Sequence, residues 1–265
     1  MGVAEVIPGI SGGTLALILG VYKQLINSIN SFDMNLLRIL SERKILEAWK
    51  HIDGSFLLIL FVGMLISIVS LASLILYIMD VYPVVFKSFL SAILFGSVFL
   101  EPLKPKISKP FILGLTISFI ICSLLYLMPT KEMSDISLWY LFFSGFIAIT
   151  ALVVPGISGS FILLLLGSYS SILIALRDFD VAILSIFLLG AFLGLFSVVR
   201  AIKLLYEKNE KLLMAVFFGL IIFCIPLIWT NKTSSTILDL NITSVVSGIF
   251  LGLSLIVLVQ KLRTG

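Results

Sequence analysis

Apolar runs of about 16–26 residues, separated by short polar stretches, set the rhythm of this chain. They cover Phe56–Met79, Val84–Phe99, Phe111–Met128, Trp139–Val154, Ile157–Leu176, Val181–Tyr206, Leu212–Trp229 and Val245–Leu262. As helices, such runs match a hydrocarbon layer of ~30 Å. Alternating strands of ~10 residues, the mark of a membrane β-barrel, do not occur. The pattern predicts an all-α polytopic membrane protein. The most polar stretch, Asn30–Ser55, reads as a connector carrying an amphipathic surface helix.

Two of the apolar segments are interrupted in the same way. Ile7-Pro8-Gly9-Ile10-Ser11-Gly12-Gly13-Thr14 recurs 147 positions later as Val154-Pro155-Gly156-Ile157-Ser158-Gly159-Ser160-Phe161. Without gaps, residues 2–29 match 149–176 at 11 of 28 positions, including Leu19, Gly20 and Tyr22. A repeated, broken hydrophobic segment in corresponding places of two halves is a sequence pointer to a transporter's binding site. The halves divide as 1–128 and 129–265. The second motif follows a full apolar segment, whereas the first follows only Met1–Ile7, so the first copy is expected either to lack a helix encoded upstream or to use a stub.

Parity gives the relation of the halves. Residues 139–176 make ~57 Å of helix at ~1.5 Å per residue, too long for one crossing. The pair therefore either crosses twice or enters and returns on one side, and three spans follow it in each half. An odd number of crossings per half makes the repeats inverted. With 30–55 placed in the cytoplasm, thirteen Lys and Arg residues fall inside and four outside, with Lys23 unassigned. That bias is what cytoplasmic loops require. The predicted architecture is two inverted repeats, each a re-entrant hairpin plus three transmembrane helices, with the motifs meeting near the membrane centre.

At a broken helix the motif has a clear chemistry. Pro8 and Pro155 end the preceding helix. Gly9, Gly12, Gly13, Gly156 and Gly159 permit positive φ and close approach. Ser11 is a candidate N-cap for a helix running to Ile29, with Thr14, Ser158 and Ser160 as further hydroxyls. Unpaired N–H groups at such helix starts attract anions. A phosphate or carboxylate site is one reading; close packing of small residues between helices is the other. Glu5 is the one acid beside a motif and a candidate proton or cation carrier, or the cap of a helix at the aqueous boundary. Arg200 lies inside its span, where it pairs with the anion or snorkels to the interface. Tyr22 and Tyr169 match between repeats and line the cavity or pack.

Composition removes other classes. With 60% hydrophobic residues, 12% charged and a mean hydropathy of +1.22, no soluble globular surface can be built. The net charge of +4 sits in short loops, which suits membrane topology rather than nucleic acid. One histidine, His51, excludes a His-based metal site, and Cys122 and Cys224 give no disulfide framework.

Ala4-Glu5-Val6-Ile7-Pro8-Gly9-Ile10-Ser11-Gly12-Gly13-Thr14, with Leu17–Tyr22, resembles the polyprenyl-phosphate transporter family called PopT. Leu152–Phe161, with Gly167 and Tyr169, resembles it again. The resemblance implies a prokaryotic plasma-membrane flippase that returns undecaprenyl phosphate to the cytoplasmic leaflet, with no cofactor and no catalysis. It implies the lipid as partner; the residues themselves reach only an anion between inverted repeats. A BacA-type polyprenyl-pyrophosphate phosphatase shares re-entrant segments, but places arginine where this chain has Gly12 and Gly159. A transporter of small anions and a purely structural membrane scaffold are the remaining alternatives.

Overall fold

The computed structural model describes residues 1–2, 11–100, 103–127, 137–159, 162–163, 166–230 and 241–264. All regular structure among them is helical. The elements are α1 (Gly12–Ile18), α2 (Tyr22–Asn30), α3 (Met34–Ser41), α4 (Ile45–His51), α5 (Gly54–Val81), α6 (Pro83–Ser97), α7 (Lys109–Leu127), α8 (Leu138–Ala148), α9 (Thr150–Val153), α10 (Tyr169–Arg177), α11 (Val181–Thr230) and α12 (Ile242–Thr264). Val181–Pro226 is long and apolar enough to cross a membrane, and Pro83–Ser97, Lys109–Leu124, Leu138–Val153 and Ile242–Leu258 are shorter apolar helices. Ile59, Phe61, Ile66, Phe119, Leu188, Phe192 and Phe250 all stand exposed, a surface that water would not tolerate.

The 46 residues of that stretch would extend ~69 Å, about twice the hydrocarbon thickness. The chain resolves this at Asn209, whose φ of −156° and ψ of 73° are not helical. Its Oδ1 accepts from Leu212 N at 3.1 Å and so caps a new helix. The limbs are therefore 181–208 and 210–230, close to the two spans the hydropathy predicts. Adjacent residues of α2 touch one limb each: the Tyr22 ring meets Phe217 at 5.5 Å, and Lys23 Nζ lies 5.5 Å from the Tyr206 ring centre. The chain thus bends at Asn209.

Small residues set the helix pairs. Gly190 faces the Phe142 carbonyl, and Gly194, one turn on, faces that of Phe146, so α8 runs parallel to the first limb. Gly114 meets Ala215 and Gly219 meets Ser118, so α7 runs parallel to the second. Ser118 Oγ donates to Val216 O at 2.8 Å across this seam, and the free thiols of Cys122 and Cys224 lie 3.9 Å apart further along it. Gly248 faces Val85 and Gly252 faces Phe89, which makes α6 and α12 a third parallel pair. Such residues let backbones approach where lipid offers no hydrophobic drive for helix association.

The polar connector is two short helices, not one. Asp33 caps α3 through Leu36 N at 3.0 Å and meets His51 at 3.1 Å, which together hold its carboxyl below the usual range. α4 meets α5 at 67°. Met34, Leu37, Ile45 and Leu46 are exposed on these two helices, an unpartnered apolar face that suits a membrane surface.

Candidate functional site

The two motifs come together. Val154 precedes a proline, which drives it out of the helical region, and its φ of −78° and ψ of 118° end α9. Its freed carbonyl accepts from Ser11 Oγ at 3.0 Å. Two residues on, Gly156 N donates to Thr14 Oγ1 at 2.9 Å. The hydroxyls of Ser11 and Thr14 lie 3.3 Å apart, which closes a ring of polar groups across 143 positions of sequence. Ser11 also caps α1 as expected, accepting from Thr14 N at 3.3 Å.

This junction is buried. Ser11 is 1% exposed and Thr14 0%, with Pro155, Gly156 and Ser158 also buried. Gly13 lies against the Val153 carbonyl, closer than any side chain permits. Gly156, at φ +89°, packs on the backbone of Leu220 and Ile221 in the second limb. Gly159 has more room: a Cβ there would sit 3.2 Å from Ala148 O. Among the described residues, Ser11 and Thr14 of one motif are thus bonded to Val154 and Gly156 of the other, and an anion entering here must take over those hydrogen bonds.

The expected continuous helix to Ile29 is broken, and so is its counterpart. α1 ends at a glycine turn: Gly20 has φ +77°, and Val21 N returns to Ala16 O at 2.9 Å. In the second copy Gly167 has φ +65°, and Ser168 N returns to Leu163 O at 3.0 Å. Leu19 N bonds Leu15 O, as Leu166 N bonds Ile162 O, both at 2.9 Å. All these pairs keep the 147-residue offset. Left-handed glycine with a bond spanning six residues is a common way to end a helix. Tyr22 and Tyr169 then begin α2 and α10, and among the described residues the buried Tyr22 hydroxyl has no hydrogen-bond partner.

Of the predicted site residues, Ser11, Gly12, Gly13, Thr14, Pro155, Gly156, Ser158 and Gly159 belong to the two motif segments that meet here. Glu5, Pro8, Gly9 and Ser160 lie outside the described residues. Arg200 is exposed on the first limb. The cations that line a cavity beside α2 are instead Lys23 and Lys203, with Asn27, Tyr206 and Glu207, around about 530 Å³. Sequence reasoning left Lys23 unassigned; its one signal is its place directly after the repeat-matched Tyr22. A second cavity, about 500 Å³, joins Lys23 and Asn27 to His51 and Asp53, where Gln24 Nε2 donates to Asp53 Oδ2 at 2.6 Å. A third, about 320 Å³, brings Lys104 and Lys106 to Glu210 and Lys211. Tyr206 Oη donates to Glu210 at 2.7 Å and links the first cavity to the third. The segments around 51–53, 103–108 and 206–211 therefore gather at one end of the bundle. No cluster of metal-ligating side chains occurs among the described residues.

Comparison with known proteins identifies the family. The family model described as undecaprenyl phosphate translocase-like (VCA0040-like) matches residues 1–256. A polyprenyl-phosphate transporter of Vibrio cholerae serotype O1 is 36% identical over 239 residues, covering 88% of this chain and 75% of the relative. No solved structure matches the chain. Both likenesses are named for moving a lipid phosphate rather than for catalysis, and with this coverage the chain belongs to the undecaprenyl phosphate translocase-like family.

Proposed function

We propose that this protein is a flippase that returns undecaprenyl phosphate to the cytoplasmic leaflet of a prokaryotic plasma membrane, with the phosphate held where the two motifs meet. The observation that carries this reading is the buried ring of Ser11, Thr14, Val154 and Gly156, whose hydroxyls and N–H are the donors a phosphate needs. In a buried site each such bond to a charged group is worth ~1.5–3 kcal/mol, enough for an anion to compete with the bonds now joining the motifs. The relative's name supplies the lipid class. The long tail stays in the bilayer while the head group alone crosses through protein. Glu5 is proposed as the proton carrier, and Pro8, Gly9 and Ser160 complete the motifs. Lys23 and Lys203 line the cavity beside α2 and are better placed than Arg200 to supply the cation for the phosphate.

Inverted repeats fit the helix pairs. Matching the halves relates α6 to the second limb and α7 to α12. The pairs α6 with α12 and α7 with the second limb then become one pair with its partners exchanged. The gathering of basic segments at one end agrees with the charge bias. Single cysteines at Lys106 and Lys208 should react with an impermeant maleimide only from the cytoplasmic side, and one at the exposed Phe179 only from outside. Labelling of Lys106 and Phe179 from the same side would end the inverted topology.

Transport itself is tested in proteoliposomes loaded with a short-chain polyprenyl phosphate, using an added phosphatase that cannot cross the bilayer. With the protein present, the shielded half of the lipid should become hydrolysable over time; in empty liposomes it should stay protected. Movement of inorganic phosphate alone would favour a small-anion transporter. Phosphate released from polyprenyl pyrophosphate without added enzyme would favour the phosphatase.

A further inference from the structure

The third cavity has a chemistry that the motif site does not use. Lys104, Lys106 and Lys211 rim it, and none of them makes an ion pair among the described residues. Its one acid among the described residues, Glu210, already accepts a hydrogen bond from Tyr206. Three cations against one carboxylate leave a net charge of about +2 in a concavity, where low-dielectric walls focus the field onto an incoming anion. Phe111, Met214 and Ala215 add apolar lining. Exposed apolar side chains neighbour these lining residues in sequence: Ile107, 89% exposed between Lys106 and Ser108, then Ile112 and Leu113 at 59% and 53% directly after Phe111.

A basic pocket between spans suits a lipid head group, and the adjoining apolar strip suits its chain. Free phosphate would use the rim and leave the strip bare. Charge narrows the choice further. A phosphate monoester carries about −1.5 to −2 near neutral pH, matching the pocket, whereas a phosphodiester lipid carries one charge. We infer that this pocket is a second phosphate site, which docks the monoester head group of a membrane lipid at the basic end of the bundle, with its chain along Ile107, Ile112 and Leu113. The inference deepens the transport reading, on which the lipid's class rests: it adds a place where the head group is received or released outside the motif junction.

Photolabelling locates such a site directly. Farnesyl phosphate carrying a diazirine on its chain, added to the detergent-solubilised protein, should label the peptide containing Ile107–Leu113. In the K104Q/K106Q/K211Q variant that label should fall at least about tenfold, because each lysine near the membrane surface strengthens binding of an anionic head group. The triple arginine variant should keep it, and the single change Lys106→Gln, in an exposed segment, should lower it with little risk to folding. Undiminished labelling in both glutamine variants overturns the site. Equal competition by inorganic phosphate overturns its lipid character, and equal competition by phosphatidylglycerol overturns the monoester preference. The two readings fail separately: lysine-dependent labelling without lipid movement in proteoliposomes would overturn transport and leave the pocket. Lysine-independent labelling by a protein that moves lipid would do the reverse.

Discussion

Alanine at Gly156 is expected to abolish transport and to lower the stability of the inserted protein by about 3 kcal/mol. Two independent costs add. At φ +89° an L-residue is strained, at ~1–2 kcal/mol. Its Cβ would also lie 2.8 Å from Ile221 N and from Leu220 C, backbone atoms that no rotamer change can move. Overpacking of this kind costs ~1–3 kcal/mol. The second limb must then retreat from the motif, and the bond from Gly156 N to Thr14 is drawn out with it. The series has internal controls. Gly159→Ala meets only the Ala148 carbonyl at 3.2 Å and should fall between, while Gly63→Ala, with nothing within 4 Å, should be neutral or slightly stabilising. Melting in detergent and lipid movement in proteoliposomes should both follow that order. If Gly156→Ala behaves like Gly63→Ala, the packing of the second motif on the second limb is wrong.

Thr14→Val should produce the next largest effect, and one that separates binding from packing. Valine fills nearly the same volume but removes the acceptor for Gly156 N, and a buried N–H without a partner costs ~1–3 kcal/mol. Ser11→Ala removes both the cap on Thr14 N and the donor to Val154 O. Because the two hydroxyls are 3.3 Å apart in one network, the double variant should cost less than the two singles together. A purely structural junction would lose transport only as far as it loses folded protein. If the hydroxyls receive the phosphate, Thr14→Val should bind polyprenyl phosphate at least about tenfold more weakly even at a temperature where it is fully folded. Unchanged binding by the folded variant would return the motifs to a packing role.

The motifs were legible because Pro and Gly stand out in membrane-grade sequence, and because an exact offset of 147 ties the copies together. Ser11 as a cap followed from the same punctuation, and the turn at Asn209 from the polar residues around it. The glycine turns at Gly20 and Gly167 were matched between copies yet read as helix, since an apolar window hides a single left-handed residue. Which cation lines a cavity was not legible. Arg200 and Lys203 are three residues apart on one helix, and only the rotation set by packing against α2 turns Lys203 inward. The mutual satisfaction of the two motifs was also hidden, because sequence shows donors and not the partners that occupy them.

The parallel pairing of α6 with α12, and of α7 with the second limb, has a consequence for how the protein is made. Each seam joins a helix from the first half of the chain to one from the second, so α6 and α7 leave the ribosome more than 100 residues before the surfaces that complete them. Until then their small-residue faces lie open to lipid. The first half is therefore not a self-sufficient unit. Expressed alone it should be degraded, and supplied with the second half as a separate chain it should assemble. If the halves are the inverted repeats proposed above, a gene encoding a single repeat could have built these seams only by pairing two copies of its product in opposite orientations.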